Sequence, residues 1–283
     1  MKSHAVTLLL LFLLSGCKAT EEGIMDLSQN TPFGAIYAKT TPSQVQNYNM
    51  VIIEPDHYTK AEIDALKATN TRVIGYITLG EVDKSRWYFP LLEERGFVGI
   101  NENWDSPYLD LADDSTRAIV LDKVLPEIMI KGLDGVFLDT VDAVSPYGER
   151  SHLQSYMVQL IQGIRNRYPN TTIIQNAGFF LLEQTAPLVD GVLIEDIATS
   201  YDFGKREYIY RDQEDYQQRL DYLKKYTLEY DLPFFIIDFA VSPEKQAQVR
   251  QRLDSLKLPY FISNIGLTKL PSNTNRVANK ISN

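Results

Sequence analysis

Two short runs, Gly135-Val-Phe-Leu-Asp139 and Gly191-Val-Leu-Ile-Glu195, are apolar after their glycine until the acid that closes them. A strand with no polar face has to be covered on both sides, a condition met by parallel sheets whose crossover connections are helices. The closing acid is then carried out of the core to the rim at the strand's C-terminal end, where α/β folds assemble their sites. Two carboxylates on one rim suit general acid/base chemistry.

Six further β-rich apolar runs, at 33–38, 50–54, 72–78, 171–176, 234–239 and 260–264, bring the number of expected strands to the eight that a closed barrel needs. The intervals read as helices. Leu153, Tyr156, Met157, Leu160, Ile161 and Ile164 form one apolar stripe at helical spacing, ended by Tyr168-Pro-Asn170. Ser242-Pro-Glu244 is a helix start with a capping serine and an early proline, and Val249, Leu253 and Leu256 then face the core. Strands alternating with helices predict an α/β fold, a single-domain (β/α)8 TIM barrel over residues 31–267, followed by a polar tail at 268–283.

The N-terminus reads as a targeting segment. A basic start precedes an apolar stretch at 6–14 that is too short to span a bilayer, and Leu14-Ser-Gly-Cys17 resembles a bacterial lipobox. The expectation is a signal peptide at 1–16, lipidation at Cys17 and a linker at 17–30. That arrangement would hold the protein in the cell envelope, at a bacterial outer membrane or cell surface, through the lipid anchor alone.

Cys17 is the only cysteine, so beyond residue 17 the chain has no disulfide, thiolate nucleophile or cysteine-based metal site. Besides His4 there are only His57 and His152, which disfavours a histidine-rich metal centre. Chemistry is left to carboxylates, tyrosines and amides, with no cofactor and no metal expected. A net charge of −9 argues against nucleic acid and suits a cationic ligand, although it also serves plain solubility.

Laid on a barrel, the strand ends place Tyr37, Glu54, Thr78 with Glu81, Asp139 with Asp142, Asn176, Glu195 with Asp196, Asp238 and Asn264 on one rim, with Tyr76 inside the third strand. Asp139 and Glu195 are the expected catalytic pair, and Tyr37, Glu54, Tyr76, Glu81, Asp142, Asn176, Asp196, Asp238 and Asn264 the expected substrate contacts. Several of these acids have a plainer reading. Glu54 precedes Pro55 and suits a helix cap, Asp142 and Asp196 suit loop amides, and Asp238 suits a loop anchor. Trp87, Tyr88, Phe89 and Trp104 in the stretch 81–105, and Tyr201, Phe203, Tyr208 and Tyr210 further on, fit either sugar stacking or core packing.

Three ordered motifs, Ile74-Gly-Tyr-Ile-Thr-Leu-Gly-Glu81, Gly132-Leu-Asp-Gly-Val-Phe-Leu-Asp-Thr-Val-Asp142 and Val189-Asp-Gly-Val-Leu-Ile-Glu-Asp196, resemble the endo-α-1,4-polygalactosaminidase family, glycoside hydrolase family 114. They are also similar to the hydrolase domain of the bacterial Pel polysaccharide system. The resemblance implies a (β/α)8 barrel that cleaves α-1,4-linked galactosamine-rich polysaccharide with retention, Asp139 being the nucleophile and Glu195 the acid/base. The expected partner is therefore a cationic amino-sugar polymer, met by a monomer. Two alternatives stay open: a sugar-binding lipoprotein without activity, and a hydrolase whose carboxylates at Asp139, Asp142, Glu195, Asp196 and Asp238 hold a hard cation.

Overall fold

The structure, a computed structural model, describes residues 32–271. The expected signal peptide, Cys17, the linker and the tail beyond residue 271 lie outside the described residues. Eight parallel strands form the barrel: β1 (Phe33–Ile36), β2 (Met50–Ile53), β3 (Arg72–Thr78), β4 (Gly135–Asp139), β5 (Thr172–Asn176), β6 (Gly191–Glu195), β7 (Phe234–Phe239) and β8 (Tyr260–Ser263). They pair in chain order, each with the next, and helices flank them. The fold is a (β/α)8 barrel. Both sequence-read helices form, as Gln154–Arg167 and as Pro243–Asp254, where the Ser242 hydroxyl accepts the Lys245 N–H at 3.2 Å. Leu256 falls beyond the second helix and is only partly buried against the core.

Alternate residues of each strand separate into two cores. Phe33, Ile52, Ile74, Phe137, Ile174, Leu193, Ile237 and Phe261 fill the barrel interior. Their neighbours Val51, Val73, Val136, Ile173, Val192 and Ile236 pack outward against the helices. This two-sided burial is what continuous apolar runs require.

The Asp-Gly pair that opens two of the motifs locks the bottom of the barrel. Asp134 donates its N–H to the Val73 carbonyl at 2.9 Å, and its carboxylate accepts the Val73 N–H at 2.8 Å. Asp190 repeats both bonds on Ile173, at 2.8 and 2.7 Å. Each carboxylate also meets a cation, Lys67 for Asp134 and Arg165 for Asp190, both at 2.7 Å. These buttresses fix β4 against β3 and β6 against β5, so the acids at the far ends of β4 and β6 arrive in register.

The seam between β8 and β1 is covered by the start of the expected tail. The Tyr37 N–H donates to the Leu267 carbonyl at 2.8 Å, the Leu267 side chain joins the interior core, and Leu270 packs over Gly34. Two antiparallel hairpins that the strand pattern does not announce stand above the mouth, Phe97–Asn101 with Ser106–Leu109 and Thr199–Asp202 with Glu207–Tyr210.

Gly135 leaves no room for a side chain, since a β-carbon there would sit 2.3 Å from the Thr172 carbonyl oxygen and 2.8 Å from Ile74. Gly135→Ala should therefore destabilise the fold by about 1–3 kcal/mol through overpacking against backbone, read as a lower midpoint in urea unfolding.

Candidate active site

The residues that end strands at the mouth sit two positions beyond interior core residues and so share their inward direction: Asp139 above Phe137, Asn176 above Ile174, Glu195 above Leu193, Tyr37 above Ala35 and Tyr76 above Ile74. They line a cavity of about 930 Å3 together with Glu81, Asp142 and Asp196 from the loops.

Asn176 organises the centre. Its side-chain nitrogen donates to Asp139 Oδ1 at 2.8 Å and to Glu195 Oε1 at 2.9 Å. Because a single nitrogen bonds both, these two oxygens are less than about 6 Å apart, close enough for the two carboxyl groups to flank one glycosidic linkage. Tyr76 lies beside Asp139, and burial followed by the Asp139 charge raises its pKa well above the usual tyrosine range. Tyr37, ring to ring with Tyr76 at 4.9 Å, is raised for the same two reasons. Both phenols stay protonated and available as donors.

Desolvation sets the acid. Glu195 is pushed up to about 8, first by burial and then by the charge of Asp139. Glu81 rises to about 7, by burial against the opposing hydrogen bond from Asn101 at 2.9 Å. Asp196 rises to about 6, by burial and then by Asp238, and its Oδ1 is buried without a hydrogen-bond partner. Asp142 stays within reach of solvent in the mouth, and its carboxyl too is raised, by partial desolvation and then by Asp139.

Glu54, Asp238 and Asn264 are not among the residues that line the cavity. Asp238 lies between the inward residues Ile237 and Phe239, so the strand alternation turns it outward. There it is fully buried and anchors the loop after β6, accepting N–H bonds from Ala198 at 2.6 Å and Thr199 at 3.1 Å. Asn264 follows β8 and closes a turn, its Oδ1 accepting the Thr268 N–H at 3.0 Å. Glu54 has the inward alternation but is engaged by Arg86 at 2.5 Å while it caps the turn at Pro55–His57.

Several wall residues carry no strand-end signal. Arg219, in the helix Gln213–Glu229, donates to the carbonyls of Glu195 at 2.6 Å and Asp196 at 3.2 Å, which holds the end of β6 in place. Asp196 itself has φ +62°, a left-handed conformation that those bonds help maintain. Arg150 stacks over Tyr108, 3.5 Å from its ring centre. Trp104, on the first hairpin, meets Phe203 edge to face at 5.1 Å, and Phe203, Tyr201 and Tyr208 continue the chain of rings onto the second hairpin. Trp104 lines the cavity, whereas Tyr88 is buried and Phe89 packs on Phe97. Within this stretch Tyr88 and Phe89 serve packing, and Trp104 faces the cavity. Among the described residues no three His, Cys, Asp or Glu side chains form a group suited to hold a metal ion.

A (β/α)8 barrel that keeps one carboxylic acid protonated beside a second carboxylate at its C-terminal mouth has the machinery of a glycosidase. The sequence model of glycoside-hydrolase family GH114 matches residues 17–263, and the chain belongs to that family. The glycoside hydrolase domain of PelA from Pseudomonas aeruginosa superposes with a TM-score of 0.75 at 24% identity, over 84% of this chain and 96% of that domain. Ega3 from Aspergillus fumigatus, whose crystal structure is a complex with galactosamine, gives a TM-score of 0.67 at 17% identity, over 89% of this chain and 97% of that one. An α-galactosidase from Thermus thermophilus is more distant, with a TM-score of 0.56 at 11% identity, over 83% of this chain and 58% of that one. No curated protein matches in sequence.

Raised carboxyl pKa values make the site a source of pH-dependent instability. The folded protein holds the Glu195 proton up to about pH 8, while the unfolded chain releases it near pH 4.5, so stability is full below the lower value and declines as pH rises toward the upper one. Glu195→Gln, which needs no proton, should gain on the order of 1–3 kcal/mol over the natural protein at pH 8 and almost nothing at pH 4, measured by thermal unfolding across that range.

Proposed function

We propose that this glycosidase cleaves α-1,4-linked, galactosamine-rich polysaccharide at internal linkages by double displacement, with Asp139 as nucleophile and Glu195 as acid/base. The observation that carries the mechanism is the single Asn176 nitrogen that bonds both carboxyl groups, together with the burial that keeps Glu195 protonated. In the first step an Asp139 oxygen bonds to the anomeric carbon as the glycosidic bond breaks, and the Glu195 proton passes to the departing oxygen. In the second, Glu195 takes a proton from water, whose oxygen displaces Asp139 from the same face as the departed group, so configuration is retained.

The substrate class rests on charge and on kinship. Acids outnumber arginines along the cavity wall, and a sugar's ammonium group beside Glu81 and Asp142 would favour their ionised forms and gain charge pairing in return. The similar fold of Ega3, solved with galactosamine, supports the same class. At about 930 Å3 the cavity is near the upper end of ligand pockets, roughly 300–1,000 Å3, and has room for several rings, which favours internal cleavage.

Asp139→Asn and Glu195→Gln should each fold and lose about 10³-fold or more in kcat on deacetylated polymer, with activity in the natural protein falling as pH rises through about 8. Near-normal turnover of either variant, or a preference for the fully N-acetylated polymer in a reducing-end assay, would overturn the corresponding part of the proposal.

The pattern ending at Cys17 supports a lipid anchor in the cell envelope. Cys17→Ser should move the protein from the membrane fraction to the soluble one and leave its specific activity unchanged; continued membrane association would remove the anchor at this residue.

A further inference from the structure

A second cleft, of about 770 Å3, lies on the outer side of the barrel, with Trp87 and Ser85 on one wall and Glu127 and Lys123 of the helical stretch 114–129 on another. It shares a wall with the active-site cavity. Asp83 and Arg86 line the mouth, while Ser85 and Trp87 line the second cleft, so the chain at 83–87 divides the two. Arg86 braces that wall through ion pairs with Glu54 at 2.5 Å and Asp56 at 3.0 Å.

Trp87 is 49% exposed, and its indole stands edge-on to the buried Tyr88 at 5.3 Å. Single exposed apolar side chains are ordinary on a protein surface. This one is fixed in a concave, charged cleft directly beside the catalytic mouth. A flat indole fits the apolar face of a sugar ring, and its quadrupole attracts an ammonium group. Of the cleft's carboxylates, Asp56 is paired with Arg86 and Asp122 with Arg167, but Glu127 has no ion pair or hydrogen bond among the described residues. An aromatic face with an unpaired carboxylate in the same cleft matches the two recognition features of an amino sugar. Of the cleft's lysines, Lys131 is held by the Pro55 carbonyl at 2.7 Å, and Lys123 stands on the same wall as Glu127, likewise without an ion pair among the described residues.

We propose that this cleft is an accessory binding site for a distal stretch of the same amino-sugar polymer whose scissile linkage lies at Asp139 and Glu195. The inference rests on the substrate class proposed above. A chain held at two points gains affinity by effective concentration, and a disaccharide confined to the mouth gains none.

The test uses the full chain with Glu195→Gln to prevent turnover, and two ligands: a deacetylated α-1,4-galactosamine polymer and the corresponding disaccharide. Trp87→Ala should weaken polymer binding about 5- to 30-fold and leave disaccharide binding unchanged, with Trp87→Phe retaining most of the affinity. The chain has two tryptophans, so Trp104→Phe makes Trp87 the only one, and its emission should shift with polymer and not with disaccharide. Equal polymer affinity with and without Trp87, or unmoved Trp87 emission at saturating polymer, overturns the accessory site. Cleavage by the natural protein, assayed in parallel, separates the two readings. If the polymer is not cleaved, the substrate class falls and this site with it; if it is cleaved while Trp87 proves indifferent, only the accessory site falls.

Discussion

The register of the parallel ladder governs everything above it. Side chains alternate along a strand, so a slip of one residue in β4 or β6 would turn Asp139 or Glu195 away from the mouth and bring an apolar neighbour in. The closed pair of hydrogen bonds between Asp134 and Val73, repeated by Asp190 on Ile173, removes that freedom at the bottom of the barrel. The same motif that opens with a structural aspartate ends with an acid at the mouth of the cavity. Gly135 lets β4 lie against the Thr172 backbone closely enough for this to work.

Above the barrel, the site is a problem in desolvation. Several carboxyl groups face one cavity, and burial raises Glu195, Glu81 and Asp196 to about 8, 7 and 6. Removing a carboxylate from water favours its protonated form, so crowding that weakens the fold also supplies a proton donor near neutral pH. Asn176 limits the cost by donating to both members of the pair from one nitrogen. Arg219 acts on the backbone instead, holding the carbonyls of Glu195 and Asp196 so that the acid keeps its position relative to Asp139.

The long connection after β3 brings the remaining features together. It carries Glu81, the Arg86 brace, Trp87 on the outer face and Trp104 on the hairpin above the mouth. The Thr199–Tyr210 hairpin, from the connection after β6, is joined to Trp104 by ring contacts through Phe203. The loops thereby supply the outer wall of the cavity and the strand ends its central carboxyl pair, a division usual for this architecture.

By itself the sequence determined the barrel, its eight strands and the placing of Asp139 and Glu195 at its mouth, because an acid that closes an unbroken apolar run is carried to the C-terminal rim. Asp238 shows how local that legibility is. It also follows a run of apolar residues, but Phe239 continues the strand, so the acid falls on the outward alternation and anchors a loop. Only the tertiary structure decided that Asn176 spans Asp139 and Glu195, that Arg219 reaches the Glu195 and Asp196 carbonyls from a helix some 24 residues further on, and that Glu54 belongs to Arg86. Strand periodicity is written in neighbouring residues, whereas these contacts join segments distant in sequence, and the pKa values that create the acid arise from a desolvation that exists only once the barrel has closed.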